Sequence, residues 1–91
     1  MKTGEKYHSA FDALIDDPVV AQNLKIRSGL MMQLEQEINT QELTQIAAAE
    51  LFGVSQPRVS DLIKGKIDKF SIDVLVNMLA ELGKEVNIKA A

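Results

Sequence analysis

The chain has 91 residues, which gives room for one small domain, residues 1–91. It has no cysteine, which excludes a disulfide framework, thiolate catalysis and a cysteine-ligated metal. A hydrophobic content of 46% with only 4% aromatic residues is typical of an aliphatic helical bundle. The net charge of −3 argues against a general nucleic-acid coat, which should be basic. No run approaches the ~20 apolar residues that cross a bilayer, and the N-terminus lacks the apolar core of a signal peptide. We therefore expect a cytoplasmic protein without membrane contact.

The first residues are polar and then show helical apolar spacing at Tyr7, Phe11, Leu14 and Ile15. This spacing predicts one short helix ahead of the main body. His8 is the only histidine, and a single histidine without cysteine is a poor metal site. We therefore expect no metal ion, and no residue pattern indicates a cofactor.

A long helix is predicted from Asp17 to about Ile38. Asp17 can act as its N-cap, and Pro18 suits the first helical position. Gly29 interrupts the helix, costs about 1 kcal/mol relative to alanine, and indicates a kink or a close contact with another helix. The apolar face repeats at helical spacing at Val20, Leu24, Met31, Leu34 and Ile38.

Two pairs of residues on this helix invite functional explanations. Met31 and Met32 are expected to fill the core, and the alternative is a Met-rich groove for a partner protein. Glu35 and Glu37 lie two positions apart, so their side chains diverge and do not form a catalytic pair. Because the sequence has no nucleophile–base pair, metal cluster or phosphate-binding loop, we expect that the protein is not an enzyme.

The stretch from Leu43 to Gly65, LTQIAAAELFGVSQPRVSDLIKG, predicts two short helices joined by a tight turn. Thr44 and Ser55 stand at N-cap positions. Gly53 falls where the end of a helix favours a residue with positive φ. The run of three alanines lets the second helix cross close to the first. Together these features predict a helix-turn-helix.

Each of the two short helices has an apolar stripe. The expected stripes are Ile46, Ala47, Leu51 and Phe52 on the first helix, and Val59, Leu62 and Ile63 on the second. Off the second stripe lie Gln56, Arg58, Ser60, Asp61 and Lys64. Glutamine and arginine read adenine and guanine edges bidentately, so this polar face predicts contact with DNA.

Charge is unevenly placed along the chain. From Gly53 to Phe70 there are four cations and two anions, whereas from Met1 to Thr40 there are four cations and six anions. The second helix is therefore locally positive on an acidic body. Such a protein should bind non-specific DNA weakly and should depend on base contacts and on dimerisation.

After the motif, Phe70 should anchor a basic loop, and Ser71 should cap a further helix that Gly83 ends. The next residues alternate polar and apolar side chains, which is strand periodicity. A lone strand cannot satisfy its backbone groups, so the simplest partner is the same strand of a second copy, paired antiparallel about a two-fold axis. A frayed tail and pairing with a different protein are the alternatives. The predicted dimer contact is Glu85, Val86, Asn87, Ile88 and Lys89.

The motif resembles the helix-turn-helix of the phage Cro and repressor proteins, the XRE-type regulators. The matching residues are Thr44-Gln45, Ala48, Gly53-Val54-Ser55-Gln56, Val59, Ser60, Leu62 and Lys64-Gly65. The tail FSIDVLVNMLAELGKEVNIK looks like that of small HigA-like antitoxins and their stand-alone relatives. The resemblance covers roughly Val20 to Lys89 and implies an all-α, phage-repressor-like bundle with a short C-terminal β-strand. The link from Asn39 to Glu42 departs from the family, in which a basic residue and a glycine are common just before Leu-Thr-Gln.

The resemblance also implies DNA-binding roles for particular residues, namely Gln45, Gln56, Pro57, Arg58, Ser60, Lys64 and Lys66. Gln56 would reach a base edge from the N-terminal end of the second helix, and Arg58 and Ser60 would be further groove contacts. Gln45, Lys64 and Lys66 would lie near backbone phosphates. Pro57 departs from the small or polar residue often found at its position.

The leading hypothesis is a homodimeric repressor that binds a near-palindromic operator in double-stranded DNA, within its own promoter. Small size, acidity and the resemblance favour the antitoxin of a type II toxin–antitoxin pair, whose partner would be a small basic toxin. A stand-alone or prophage regulator is the alternative. The rival from another class is a protein-interaction module that does not bind DNA, which the net acidity supports and the local basic charge opposes.

Overall fold

A computed structural model describes residues 17–90. Its elements, in chain order, are α1 (Pro18–Thr40), α2 (Gln45–Phe52), α3 (Gln56–Ile63), a short 3₁₀ helix (Ile67–Lys69) and α4 (Ile72–Glu81). The expected all-α fold is confirmed over this range. The short helix predicted between Tyr7 and Ile15 lies outside the described residues.

Helix α1 begins where the sequence predicts. The Asp17 carboxylate accepts the backbone N–H groups of Val19 and Val20 at 3.0 and 3.3 Å, and Pro18 occupies the first turn. The helix runs without interruption to Thr40. A Cβ added at Gly29 would meet nothing within 4 Å, so the predicted close helix contact at this glycine is wrong.

The core lies between α1 and α4, and α2 and α3 close it from one side. Met31 is fully buried, whereas Met32 is 40% exposed, so the prediction that both methionines fill the core holds only for Met31. The buried apolar side chains of α1 and α4 are Leu24, Leu30, Met31, Leu34, Ile38, Leu75, Met78 and Leu79.

The apolar stripe predicted for α2 is partly wrong. Ile46 and Leu51 are 60% and 38% exposed, while Ala48, Ala49 and Phe52 are buried. Helix α2 has only eight residues and is apolar on most sides, so its sequence pattern does not define one face clearly. The stripe predicted for α3 is closer, because Val59 and Leu62 are fully buried and Ile63 is half-buried.

Helix α4 also begins and ends as expected. The Ser71 hydroxyl accepts the backbone N–H of Val74 at 3.2 Å, and Gly83 follows the helix with φ 77°. Phe70, just before this helix, is 1% exposed, which confirms its predicted role as an anchor in the core. The Lys84 ammonium lies 3.4 Å from the Glu37 carboxylate and connects the end of α4 to α1.

The predicted C-terminal strand is not formed. Residues 84–90 have no regular secondary structure, and the rest of the described range, residues 17–83, offers no strand with which they could pair. Alternation of side chains alone does not make a strand, because the backbone needs a neighbour. Val86 is half-buried against the core, and Ile88 is 57% exposed.

Candidate nucleic-acid interface

The turn between α2 and α3 has the geometry that the sequence predicts. Gly53 adopts the left-handed conformation, with φ 73° and ψ 31°. The backbone N–H groups of Gly53 and Val54 both donate to the Ala49 carbonyl, the second at 3.0 Å. This left-handed residue ends α2 and redirects the chain at once, so that α3 crosses α2 closely.

Helix α3 is fixed at its start and along its inner face. The Ser55 hydroxyl accepts the Arg58 backbone N–H at 3.3 Å, which confirms Ser55 as N-cap. Pro57 lies in the first turn, where a missing N–H breaks no intrahelical bond. Val59 and Leu62 are fully buried. The opposite face of α3 is therefore presented outward by a rigid element.

Most of the predicted DNA-contacting side chains are on this outer surface. Gln45, Gln56, Pro57 and Lys64 are exposed, and Ser60 is half-buried. The side chains of Gln45, Gln56 and Lys64 make no hydrogen bond or ion pair with the other described residues, 17–90. They are therefore available to an external partner without the loss of a hydrogen bond or ion pair to another residue within 17–90.

Arg58 is placed differently from the other predicted contacts. Its Nη1 donates to the Lys69 carbonyl at 2.6 Å, and its guanidinium carbon lies 5.4 Å from the centre of the Phe70 ring. The side chain therefore turns back onto the segment that follows α3. To reach a base edge, Arg58 would have to give up this hydrogen bond.

Lys66 and Asp61 form an ion pair across the end of α3, with Nζ 3.7 Å from the carboxylate. The Lys66 side chain is 49% exposed, so solvent screens the pair, and it contributes little to stability. Pairing with Lys66 also reduces the repulsion that Asp61 would exert on a nearby phosphate. The ammonium group of Lys66 remains accessible at the surface.

The segment after α3, residues 66–70, returns toward the start of α3, and we call it the exit turn. The bond from Arg58 to the Lys69 carbonyl brings Lys69 beside the first turn of α3. Lys69 is exposed and its ammonium has no partner among residues 17–90. Lys69 contributes to the local charge in the sequence but is not among the predicted contacts, since only the fold brings its backbone to Arg58.

The exit turn is also bound from the other side by α1. Arg27 Nη1 donates to the carbonyls of Ile67 and Phe70 at 3.1 and 3.3 Å, and Arg27 Nε donates to Asn23 Oδ1 at 2.6 Å. The sequence analysis missed Arg27. Its partners lie 40 and 43 positions away, and no local pattern signals contacts of that separation.

The link between α1 and α2 contains a residue in a left-handed conformation. Glu42, directly before Leu43, has φ 52°, which is unfavourable for a residue with a Cβ. This is the position at which the resemblance calls for glycine. Nearby, a hydrogen bond from the Gln41 amide at 2.9 Å, together with Lys84, holds the pKa of Glu37 below its usual value.

Within residues 17–90, no three histidine, cysteine, aspartate or glutamate side chains are grouped so that they could hold a metal ion. No helix in the same range is long and apolar enough to cross a membrane.

Two stacked short helices with a left-handed glycine between them, and an outward polar face on the second, define a helix-turn-helix protein. The chain matches a family model described as a helix-turn-helix domain over residues 14–91, and it belongs to that family. No curated protein matches the chain. The domain indicates a DNA-binding regulator.

Proposed function

We propose that this protein is a cytoplasmic, homodimeric, sequence-specific repressor and not an enzyme, and that α3 enters the major groove of its operator. The observation that carries the proposal is the two-sided character of α3. Val59 and Leu62 are fully buried, while Gln56 and Lys64 are exposed without partners among residues 17–90. A helix held in this way can approach a groove with its contacting side chains already outside.

Base reading is assigned to the N-terminal half of α3. Gln56 is exposed there, and a glutamine amide can donate from its Nε2 to adenine N7 and accept at its Oε1 from the adenine N6 amino group, which is the bidentate pattern. Pro57 offers an apolar ring and no donor, so it contributes surface contact only. Ser60 is a further groove contact at the half-buried edge of the helix. Arg58 holds the exit turn in this proposal.

Phosphate contacts are assigned to side chains around α3. Gln45 approaches from the start of α2, and Lys64 and Lys66 from the end of α3. We add Lys69 to them, and the support is its exposure and the hydrogen bond that ties its carbonyl to Arg58 of α3. These contacts add affinity and set the position on the duplex but carry no sequence information.

Dimerisation would supply the affinity that an acidic body lowers. A domain of this size has a limited core, and Ile88 leaves 57% of its surface in solvent, so a partner copy can bury it. Deletion of residues 85–91 should shift the protein toward monomer in sedimentation. An unchanged dimer would remove the C-terminal segment from the interface.

The biological role we favour is the antitoxin of a type II toxin–antitoxin pair that represses its own promoter. The support is the resemblance of the tail to HigA-like antitoxins and the net charge of −3, which suits a small basic toxin. Co-expression with the neighbouring gene tests it, and a stable complex with a small basic protein is expected. If no such protein co-purifies, a stand-alone or prophage regulator is the better assignment.

Selection of duplexes from a random pool tests the DNA-binding proposal itself. The expected product is a near-palindromic sequence with half-sites roughly one helical turn, ~34 Å, apart. An asymmetric single half-site would contradict the dimer. A pool that acquires no consensus would contradict sequence-specific binding altogether.

A further inference from the structure

The exit turn presents three backbone carbonyls, those of Ile67, Lys69 and Phe70, to arginine side chains. The Ile67 carbonyl also accepts the Phe70 backbone N–H at 3.2 Å, so the arginines add to a turn that already has local hydrogen bonds. In this protein two guanidinium groups from different helices supply the donors. Arg27 donates to Ile67 and Phe70, and Arg58 donates to Lys69.

The two arginines connect different parts of the molecule to the exit turn. Arg58 belongs to α3, the helix that presents Gln56. Arg27 belongs to α1, which packs against α4 in the body of the domain. The exit turn is therefore the point at which the orientation of α3 relative to the body is fixed by hydrogen bonds as well as by packing.

Arg27 is itself held in place. Its Nε donates to Asn23 Oδ1 one helical turn earlier, at 2.6 Å. The guanidinium is half-buried, and its donors point at the exit turn and at Asn23. With Nε and Nη1 engaged in this way, the side chain of Arg27 is suited to align the exit turn.

We propose that Arg27, oriented by Asn23, is a positioning residue for DNA recognition: it fixes the exit turn so that α3 and Lys69 meet the duplex together. The proposal rests on the DNA-binding function proposed above. It adds a residue of α1, outside the helix-turn-helix, to those that determine specificity. Arg27 acts through the backbone of residues 67–70 and touches no base.

The test compares a preferred duplex, selected by the wild-type protein from a random pool, with a scrambled duplex at one salt concentration. Arg27→Lys keeps the charge, but its shorter side chain lacks the Nε–H group that Asn23 holds and the Nη1 position that bonds the Ile67 and Phe70 carbonyls. The specific-to-scrambled affinity ratio should fall roughly tenfold, because the reading helix loses its fixed orientation. Affinity for the scrambled duplex should change less than about twofold, since the net charge is preserved.

Asn23 supplies a second and milder variant pair. Asn23→Ala removes the acceptor that orients Arg27, and the affinity ratio should fall in the same direction by a smaller factor. Asn23→Asp retains an oxygen acceptor and should keep the wild-type ratio. The matched control is Lys25→Gln, which removes an exposed cation from the same helix and should leave the ratio unchanged while lowering both affinities slightly.

The outcomes separate the two proposals. If wild-type protein shows no preferred duplex, the DNA-reading function fails and this inference fails with it. If wild-type protein shows a preference and both Arg27→Lys and Asn23→Ala keep it, only the positioning role is overturned. A further outcome is that the variants yield less active protein and a lower melting temperature while the affinity ratio stays unchanged. That result would show that Arg27 has a purely structural role, and it would also overturn the positioning role.

Discussion

The turn that leads into α3 is held by hydrogen bonds between neighbours in sequence, whereas the turn that leads out of α3 has such local bonds and, in addition, hydrogen bonds from a residue far away in the chain. Gly53, Val54 and Ser55 shape the first turn with bonds that span three to five positions. The exit turn depends on Arg27, 40 positions from Ile67. The first turn determines the shape of the helix-turn-helix, and the second determines how that motif sits on the body.

This difference has a functional consequence. The hydrogen bonds of the first turn join residues within five positions of one another and do not involve α1. The bonds from Arg27 make the exit turn respond to changes in α1 as well. If α3 reads DNA as proposed, variation outside the motif can alter recognition without touching any residue of α3.

The largest expected effect concerns the exit turn. Phe70→Ala removes a ring that is 1% exposed and that also lies against Arg58, so the free energy of unfolding should fall by about 3–5 kcal/mol. Urea unfolding measures this loss. Phe70→Leu is the control and should cost less than half as much, since it keeps most of the apolar volume. A loss below about 1 kcal/mol for Phe70→Ala would contradict the anchoring role.

The next largest predicted effect is on DNA affinity, and it distinguishes a base contact from a phosphate contact on α3. Gln56→Ala should weaken binding to the selected duplex by about 1–3 kcal/mol and relax the base preference at one position of each half-site. Lys64→Ala should weaken all duplexes alike and reduce the slope of log affinity against log salt by about 1. Fluorescence anisotropy over a salt series measures both. A changed sequence preference in Lys64→Ala would mean that this lysine, too, reads bases.

The smallest predicted effect concerns the turn between α2 and α3. Substitutions at two glycines, Gly53 and Gly29, form a matched pair. Gly53→Ala forces a Cβ into a left-handed conformation with φ 73° and should cost about 1–2 kcal/mol. Gly29→Ala, in an open stretch of α1 where the new Cβ meets nothing within 4 Å, should instead stabilise by about 1 kcal/mol. Thermal unfolding measures both changes. If both substitutions changed the free energy of unfolding by the same amount, the left-handed conformation of Gly53 would not be the cause of the predicted loss.

Sequence reasoning succeeded where structure is local. The caps at Asp17, Thr44, Ser55 and Ser71 accept the hydrogen bonds that their positions predict, and Gly53 has the positive φ expected of it. These features depend on residues within four positions of one another. Helix boundaries and the helix-turn-helix were therefore within reach of the sequence alone.

The failures all involve contacts that local patterns do not report. Ile46 appears apolar and periodic but is 60% exposed, because tertiary packing selects Ala48 and Ala49 as the inner face of α2. The alternation after Gly83 suggests a strand, yet a strand also needs a partner that residues 17–90 do not provide. The direction of the Arg58 side chain also lay beyond the sequence, because it depends on Lys69 and Phe70, and the DNA contact predicted for Arg58 stays a prediction.

We propose above that the outward face of α3 reads a particular DNA sequence. The most direct measurement is competition between the DNA upstream of the protein's own gene and a scrambled duplex at one physiological salt concentration. We predict a preference of ~10³-fold or more for the upstream DNA. Equal weak binding to both duplexes would contradict the claim and would favour a protein partner for this face.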